Sequence, residues 1–256
     1  MLTNNKIKLI KSLDKKKARK DNECFLVEGE KMVKELLQSR FSVIEVFALQ
    51  SYIDELPTSL KVGNEISAVT EKDLERITHL KTPNRVVALA ELPKANQGLA
   101  IAGNGLSIAL ENIQDPGNLG TIIRTAAWFG IKDVFCTEDT VDVYNPKVIQ
   151  STMGAIFKVN VHYCDLFNLA KSAKGNGTKL YGTRLDGENM YKSALPNNAM
   201  IFMGNESKGM TLALSAMMDK NIKIPSYAPP SADMESLNVS IATAIVCAEF
   251  RRQQNS

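Results

Sequence analysis

The chain has 256 residues, 44% hydrophobic and 23% charged, with a net charge of +3. This composition suits a folded globular protein and excludes an extended disordered chain. No run approaches the roughly 18 apolar residues of a membrane span, and the first twenty residues hold no apolar segment of signal-peptide length. The charge is uneven: residues 1–20 carry +7 and the remainder −4. A basic arm on a mildly acidic body points to a polyanion, most simply nucleic acid. Its densest part is Lys15, Lys16, Lys17, Arg19 and Lys20. A well-solvated first helix is the competing reading.

In chain order, a helix is predicted from about Asn4 to Lys20, then a strand over "CFLVEG" (24–29) and a helix over "EKMVKELLQS". In that helix Met32, Val33, Leu36 and Leu37 share one side. "FSVIEVFAL" (41–49) and "NRVVALAEL" (84–92) read as strands. Between them lies a helix that Thr70 and Asp73 open as a near capping box. Residues 1–92 thus form a small α/β domain, and the Pro- and Gly-rich 93–105 a linker. Residues 106–256 form a second α/β domain, with strands over 106–112, 133–137, 157–163, 179–185, 199–204 and 221–225. Such alternation implies a mostly parallel sheet with helices on both faces. The final helix is apolar over most of its circumference and is expected to be buried on several sides.

In sheets of this kind ligands bind beyond the carboxyl ends of the strands. Three such ends carry unusual loops: "ENIQDPGNLG", "GNESKG" and "PSYAPPSADMESLN". "GNESKGMT" has the glycine spacing of a phosphate-binding loop, but Met210 replaces the required lysine. No GxSxG elbow exists, and the four cysteines are scattered with no CxxC pair. Neither a disulfide framework nor a metal site is expected, and a reducing cytoplasm fits.

Together the three loops resemble the SpoU family of RNA ribose 2′-O-methyltransferases, within the SPOUT superfamily. The first motif, Asp-Pro-x-Asn-x-Gly with an arginine four residues on, stands here as "DPGNLGTIIR", with Asn118, Gly120 and Arg124. The second is "IFMGNESKG", with Gly204, Glu206 and Gly209. The third is Ile224-Pro225, a loop, then "SLNV" from Ser236 before the last helix. "FLVEGEKMVKELL" is similar to the substrate-binding domain that many members carry. Two departures stand out. The loop "SYAPPSADME" is about four residues longer than the family's and lacks its Met-x-Gly start; Gln150 and Thr152 replace a typical arginine and serine.

The resemblance implies a deep trefoil knot in the second domain, a homodimer, and S-adenosylmethionine as methyl donor to a ribose 2′-hydroxyl. The implied substrate is ribosomal RNA, with transfer RNA as the alternative. It also implies that Gly204, Ile224, Leu237 and Thr183 contact the cofactor, and that Arg124, Asn118, Glu206, Asn238 and Ser236 form the catalytic set. The planar fork of Arg124 suits a phosphate beside the target ribose. With a pKa above about 12 an arginine holds little free base, so orientation and charge stabilisation are its expected work. Glu206 is expected to accept from Asn118 or from loop N–H groups, and Ser236 to cap the last helix. A non-catalytic RNA-binding protein of the same fold, or a methyltransferase acting on another atom, are the other readings.

Overall fold

The computed structural model describes residues 2–94, 105–229 and 236–254. The 93–105 linker and the 226–235 loop lie partly outside these residues. Two compact units result. One holds the residues up to 94 together with Asp142–Lys158; the other holds 105–141 and 159–254. The segment 142–158 therefore leaves the second unit's sequence and packs with the first. Among the described residues no helix is long and apolar enough to cross a membrane.

The first unit is built on a four-stranded sheet in the order β1 (Cys24–Glu28), β4 (Val86–Glu91), β2 (Val43–Ala48), β3 (Ile66–Ala68). β4 runs antiparallel to both neighbours, while β2 and β3 are parallel. β1 is buried along its whole length, as its unbroken "CFLVE" run requires. The helices α3 (Glu30–Leu37) and α6 (Glu71–Ile77) turn Met32, Val33, Leu36, Leu74 and Ile77 inward. Thr70 and Asp73 form the anticipated reciprocal capping box on α6. The short helices α4 (Gln50–Glu55) and α5 (Thr58–Lys61), and strand β3, are elements that periodicity does not announce.

The single helix expected over 4–20 is two, α1 (Asn4–Ser12) and α2 (Lys16–Asp21). Arg19 explains the break. Its guanidinium donates to the carbonyls of Leu13 (2.7 Å) and Asp14 (3.0 Å). A continuous helix would spend those carbonyls on its own amides. The same side chain reaches the Asp142 carboxylate, with Nε–Oδ2 at 3.1 Å, and is only 2% exposed. The expectation that Arg19 contacts RNA is therefore corrected: its donors are consumed inside the unit. Removing one partner of such a buried pair costs about 3–5 kcal/mol. Aromatic contacts complete the hold on 142–158: Tyr144 lies 4.8 Å from Phe25 and Phe157 lies 5.5 Å from Phe41, centroid to centroid. This segment contains α8 (Pro146–Thr152) and ends in a left-handed Met153–Gly154 turn and a 3₁₀ turn, Ala155–Phe157. The strand expected from 157 accordingly begins only at Asn160.

The second unit is a six-stranded sheet in the order β10 (Lys220–Lys223), β8 (Lys179–Asn189), β9 (Ala199–Met203), β5 (Leu106–Leu110), β6 (Asp133–Cys136), β7 (Asn160–Tyr163). Every pair is parallel. The central strands β5 and β9 are buried throughout. Ala109, Phe135, Leu180, Met200 and Phe202 meet Leu166, Leu169 and Ala173 of α9 (Leu166–Gly175) in one core cluster. The β8–β10 register breaks between Asn221 and Ile222, so β8 carries an excursion at 183–187. The helices α7 (Pro116–Trp128) and α11 (Val239–Gln254) pack against each other. α11 is buried or half-buried around most of its circumference, as its composition suggested, and leaves one narrow open stripe. Ile241 is 53% exposed, and Ala248 is also open.

Candidate active site

The site loops leave the carboxyl ends of β5, β9 and β10, where a parallel sheet presents its ligand positions. After β5, Asn112 takes a left-handed backbone (φ 56°), a conformation asparagine tolerates better than most residues. Ile113 is then fastened from both sides: its amide donates to Thr140 Oγ1 at 3.2 Å, and its carbonyl accepts from Val141 N at 2.9 Å. The Asn112 amide donates to Thr137 Oγ1 at 2.9 Å, and the Gln114 side-chain amide donates to the carbonyl of Asp139. Thus the sharp "ENIQDP" passage is anchored before α7 starts. Asp115 caps α7 by accepting from Asn118 N at 2.8 Å, and Pro116 occupies the first turn, where its missing N–H costs nothing.

The loop after β9 folds tightly on itself. Asn205 and Gly209 exchange backbone hydrogen bonds of 3.1 and 2.8 Å, and the Asn205 side-chain oxygen accepts from the amides of Ser207 and Lys208. A Cβ at Gly204 would stand 2.2 Å from Met210 N and 2.3 Å from Gly209 C, so only glycine fits. The Asn205 side-chain amide donates to Asn112 O at 2.9 Å, and Glu111 accepts from the Thr211 amide and hydroxyl, both at 2.8 Å. The first two loops are therefore joined by residues outside the expected set: Glu111, Asn112, Asn205 and Thr211. Their only sequence signal is a density of polar residues in loops flanked by buried strands.

The expected residues Asn118, Glu206 and Asn238 meet directly. Asn118 Nδ2 donates to Glu206 Oε1 at 2.7 Å, and Asn238 Nδ2 donates to Asn118 Oδ1 at 2.9 Å. One amide thus ties three motifs that are 88 and 120 positions apart in sequence. Asn238 also caps α11, its Oδ1 accepting from Ser240 N at 3.0 Å and from Ser240 Oγ. The cap expected at Ser236 is therefore corrected; Ser236 is exposed.

Arg124 stands apart from this chain of amides. It is exposed and forms no hydrogen bond or ion pair among the described residues. It lies six residues beyond Asn118, about 120° around the helix axis, on the open face shared by Gly117, Thr121 and Trp128. Ile122, Ile123 and Ala126 face the core instead. A helix can therefore be buried on one face and still carry a permanent cation on the other.

Of the four residues expected at the cofactor, Thr183 lies beside the end of β9, its hydroxyl donating to Phe202 O at 3.0 Å. Gly204 follows β9 directly, and Leu237 precedes Asn238 and is 42% exposed. Ile224 is half-buried just past β10, and its strand end is what relates it to the others. Burial raises the thiols of Cys136, Cys164 and Cys247, the last to about 12, which leaves them inert as nucleophiles. Among the described residues no group of three or more His, Cys, Asp or Glu is arranged to hold a metal ion.

Two family models match the chain. Residues 105–248 match the SpoU rRNA Methylase family, and residues 4–88 match an MRM3-like substrate binding domain. The chain is 33% identical to the 23S rRNA (guanosine(2553)-2′-O)-methyltransferase RlmP of Bacillus subtilis, over 97% of this chain and 96% of that one. It is 30% identical to the 23S rRNA (guanosine-2′-O-)-methyltransferase RlmB of Neisseria meningitidis, over 86% and 91%. A TrmH-family structure from Porphyromonas gingivalis superposes with a TM-score of 0.87 at 34% identity, covering 99% of both chains. An AdoMet-bound rRNA methyltransferase from Sinorhizobium meliloti gives 0.87 at 27% identity, covering 100% of this chain and 97% of that one. With a family model spanning more than half its length and a relative aligned almost end to end, the chain belongs to the SpoU rRNA methylase family.

Proposed function

We propose that the chain transfers a methyl group from S-adenosylmethionine to a ribose 2′-hydroxyl of ribosomal RNA. The observation that carries this reading is the Asn238–Asn118–Glu206 chain, which gathers three strand-end loops at the start of the helix that carries an uncommitted arginine. The residues fit the cofactor. Gly204 brings backbone close without a side chain, and the half-buried Ile224 and part-exposed Leu237 offer apolar surface to an adenine. When bound, the cofactor supplies an electrophilic methyl on a sulfonium. Arg124 grips a phosphate next to the target ribose and favours the developing oxyanion. Asn118, held at both ends, fixes the start of the helix that carries Arg124, so alignment rather than covalent chemistry is what the protein contributes. The first unit is the substrate-binding part and the second the methyltransferase. Ribose-methylation mapping of total RNA from cells lacking the protein tests this. The expected result is loss of a 2′-O-methyl group from ribosomal RNA. An unchanged ribose map, or a loss confined to bases or transfer RNA, overturns it.

The active form is a homodimer joined through α7 and α11. Trp128 is 85% exposed and Ile241 53%, on two helices that pack together, and Leu237, 42% exposed, lies just before α11. Ile241 and Ala248 fall on the same open stripe of α11. An exposed stripe of this kind marks an interaction surface. Trp128→Glu is expected to give a monomer in sedimentation that keeps its native circular-dichroism spectrum, because a side chain exposed in the single chain contributes within about 0.5 kcal/mol to that chain's folding. A dimer surviving this substitution refutes the assignment.

A further inference from the structure

The motif "VEGE" contains two carboxylates, Glu28 and Glu30, on either side of Gly29. Each holds one end of the same loop. Glu28 is 6% exposed, at the end of β1, and accepts from the Thr78 hydroxyl and from His79 N at 2.9 Å. Glu30 accepts from Arg85 Nε and Nη2, both at 2.7 Å, while Glu55 takes the other edge of that guanidinium at 2.9 Å. Between these clamps run residues 79–84, where Lys81 and Thr82 are exposed and Pro83 restricts the backbone. A buried carboxylate spent on one hydroxyl and one amide is costly to install, and what it fixes here is an exposed loop.

The loop also touches the end of α1. His79 Nε2 donates to Ile10 O at 3.1 Å, and Lys11 Nζ donates to Thr78 O at 2.6 Å. α1 ends two residues later, and the chain turns into the basic helix α2. Lys11, Lys15, Lys16, Lys17, Lys20 and Lys81 form no ion pair with any described residue, whereas Lys6 and Arg85 of the same unit do. Unneutralised cations, one on a pre-set loop and five on the adjoining α1–α2 segment, match a polyanion at little ordering cost.

We infer that the Thr78–Arg85 loop and the Lys15–Lys20 corner form one RNA-phosphate-binding surface, with Glu28 as a positioning residue that holds the loop for it. This rests on the proposed RNA substrate. The test measures binding of a 23S rRNA transcript across a salt series, for Lys81→Ala, Glu28→Gln and the quadruple alanine variant of Lys15, Lys16, Lys17 and Lys20, with S-adenosylmethionine binding alongside. Lys81→Ala is expected to bind RNA about fivefold more weakly and to lower the slope of log K against log salt by about one, one phosphate contact's share. Glu28→Gln is expected to lower the slope as well, with cofactor affinity unchanged. A scaffold residue alone would lower the melting temperature and leave the slope intact. If the quadruple variant loses RNA while Lys81→Ala keeps wild-type affinity and slope, the inference fails and the RNA reading stands. If none of the three changes RNA binding, the assignment of RNA to this unit fails with it.

Discussion

Arg124→Ala is expected to lower the methyl-transfer rate by about 10²–10³-fold, the usual cost of removing a preorganised group from a developing oxyanion. The structure makes this a clean experiment. The arginine is exposed and has no hydrogen-bond or ion-pair partner among the described residues, so its removal breaks no such bond inside the protein. Alanine is the best helix former, so α7 is not weakened. The Asn118–Glu206 and Asn238–Asn118 bonds do not involve it, so cofactor affinity should remain within about twofold, a change of under 0.5 kcal/mol. Arg124→Lys keeps the charge but not the planar fork, and should recover only part of the loss. Single-turnover transfer with saturating RNA, together with calorimetric cofactor binding, separates these effects. Wild-type turnover in Arg124→Ala would remove the residue from the mechanism.

Gly204→Ala acts on the other half of the site. The added methyl would meet Met210 N at 2.2 Å, Gly209 C at 2.3 Å and Gly209 O at 2.6 Å. All three are backbone atoms, so no side chain can swing aside. Relief requires opening the Asn205–Gly209 pair, and that pair shapes the loop bearing Glu206. The expected cost is about 1–3 kcal/mol of stability, as for other overpacked positions. Cofactor binding should weaken by more than tenfold, and the Glu206–Asn118 link should be lost. Calorimetry with S-adenosylmethionine checks the first. An alanine variant with native affinity would show that this loop does not line the cofactor position.

The motif residues and their order are legible in the sequence; that Glu206 accepts from Asn118 is one of two pairings the sequence leaves open, the other being with loop N–H groups, and the structure selects it. The parallel sheet follows from the alternation of strands and helices along residues 106–256. What the sequence conceals is tertiary competition for polar groups. Arg19 reads as one more cation of a basic arm, and only its partner 123 residues away, Asp142, makes it a core residue. Ser236 and Asn238 are both good cap residues by type. The choice of Asn238 depends on where α11 begins and on an amide that Asn118 is placed to accept. The stripe on α11 is hidden for a related reason: hydropathy reports that a face is apolar but not whether the same chain covers it.

The interleaved packing of 142–158 bears on how such a protein is inherited. A recombination event exchanging only the amino-terminal third would carry Arg19, Phe25 and Phe41 into a new chain and leave Asp142, Tyr144 and Phe157 behind. The imported piece would have a stranded guanidinium and two bare rings. Shuffling at the 93–105 junction is therefore penalised even though the sequence there reads as a linker, and the two stretches should change together over evolutionary time.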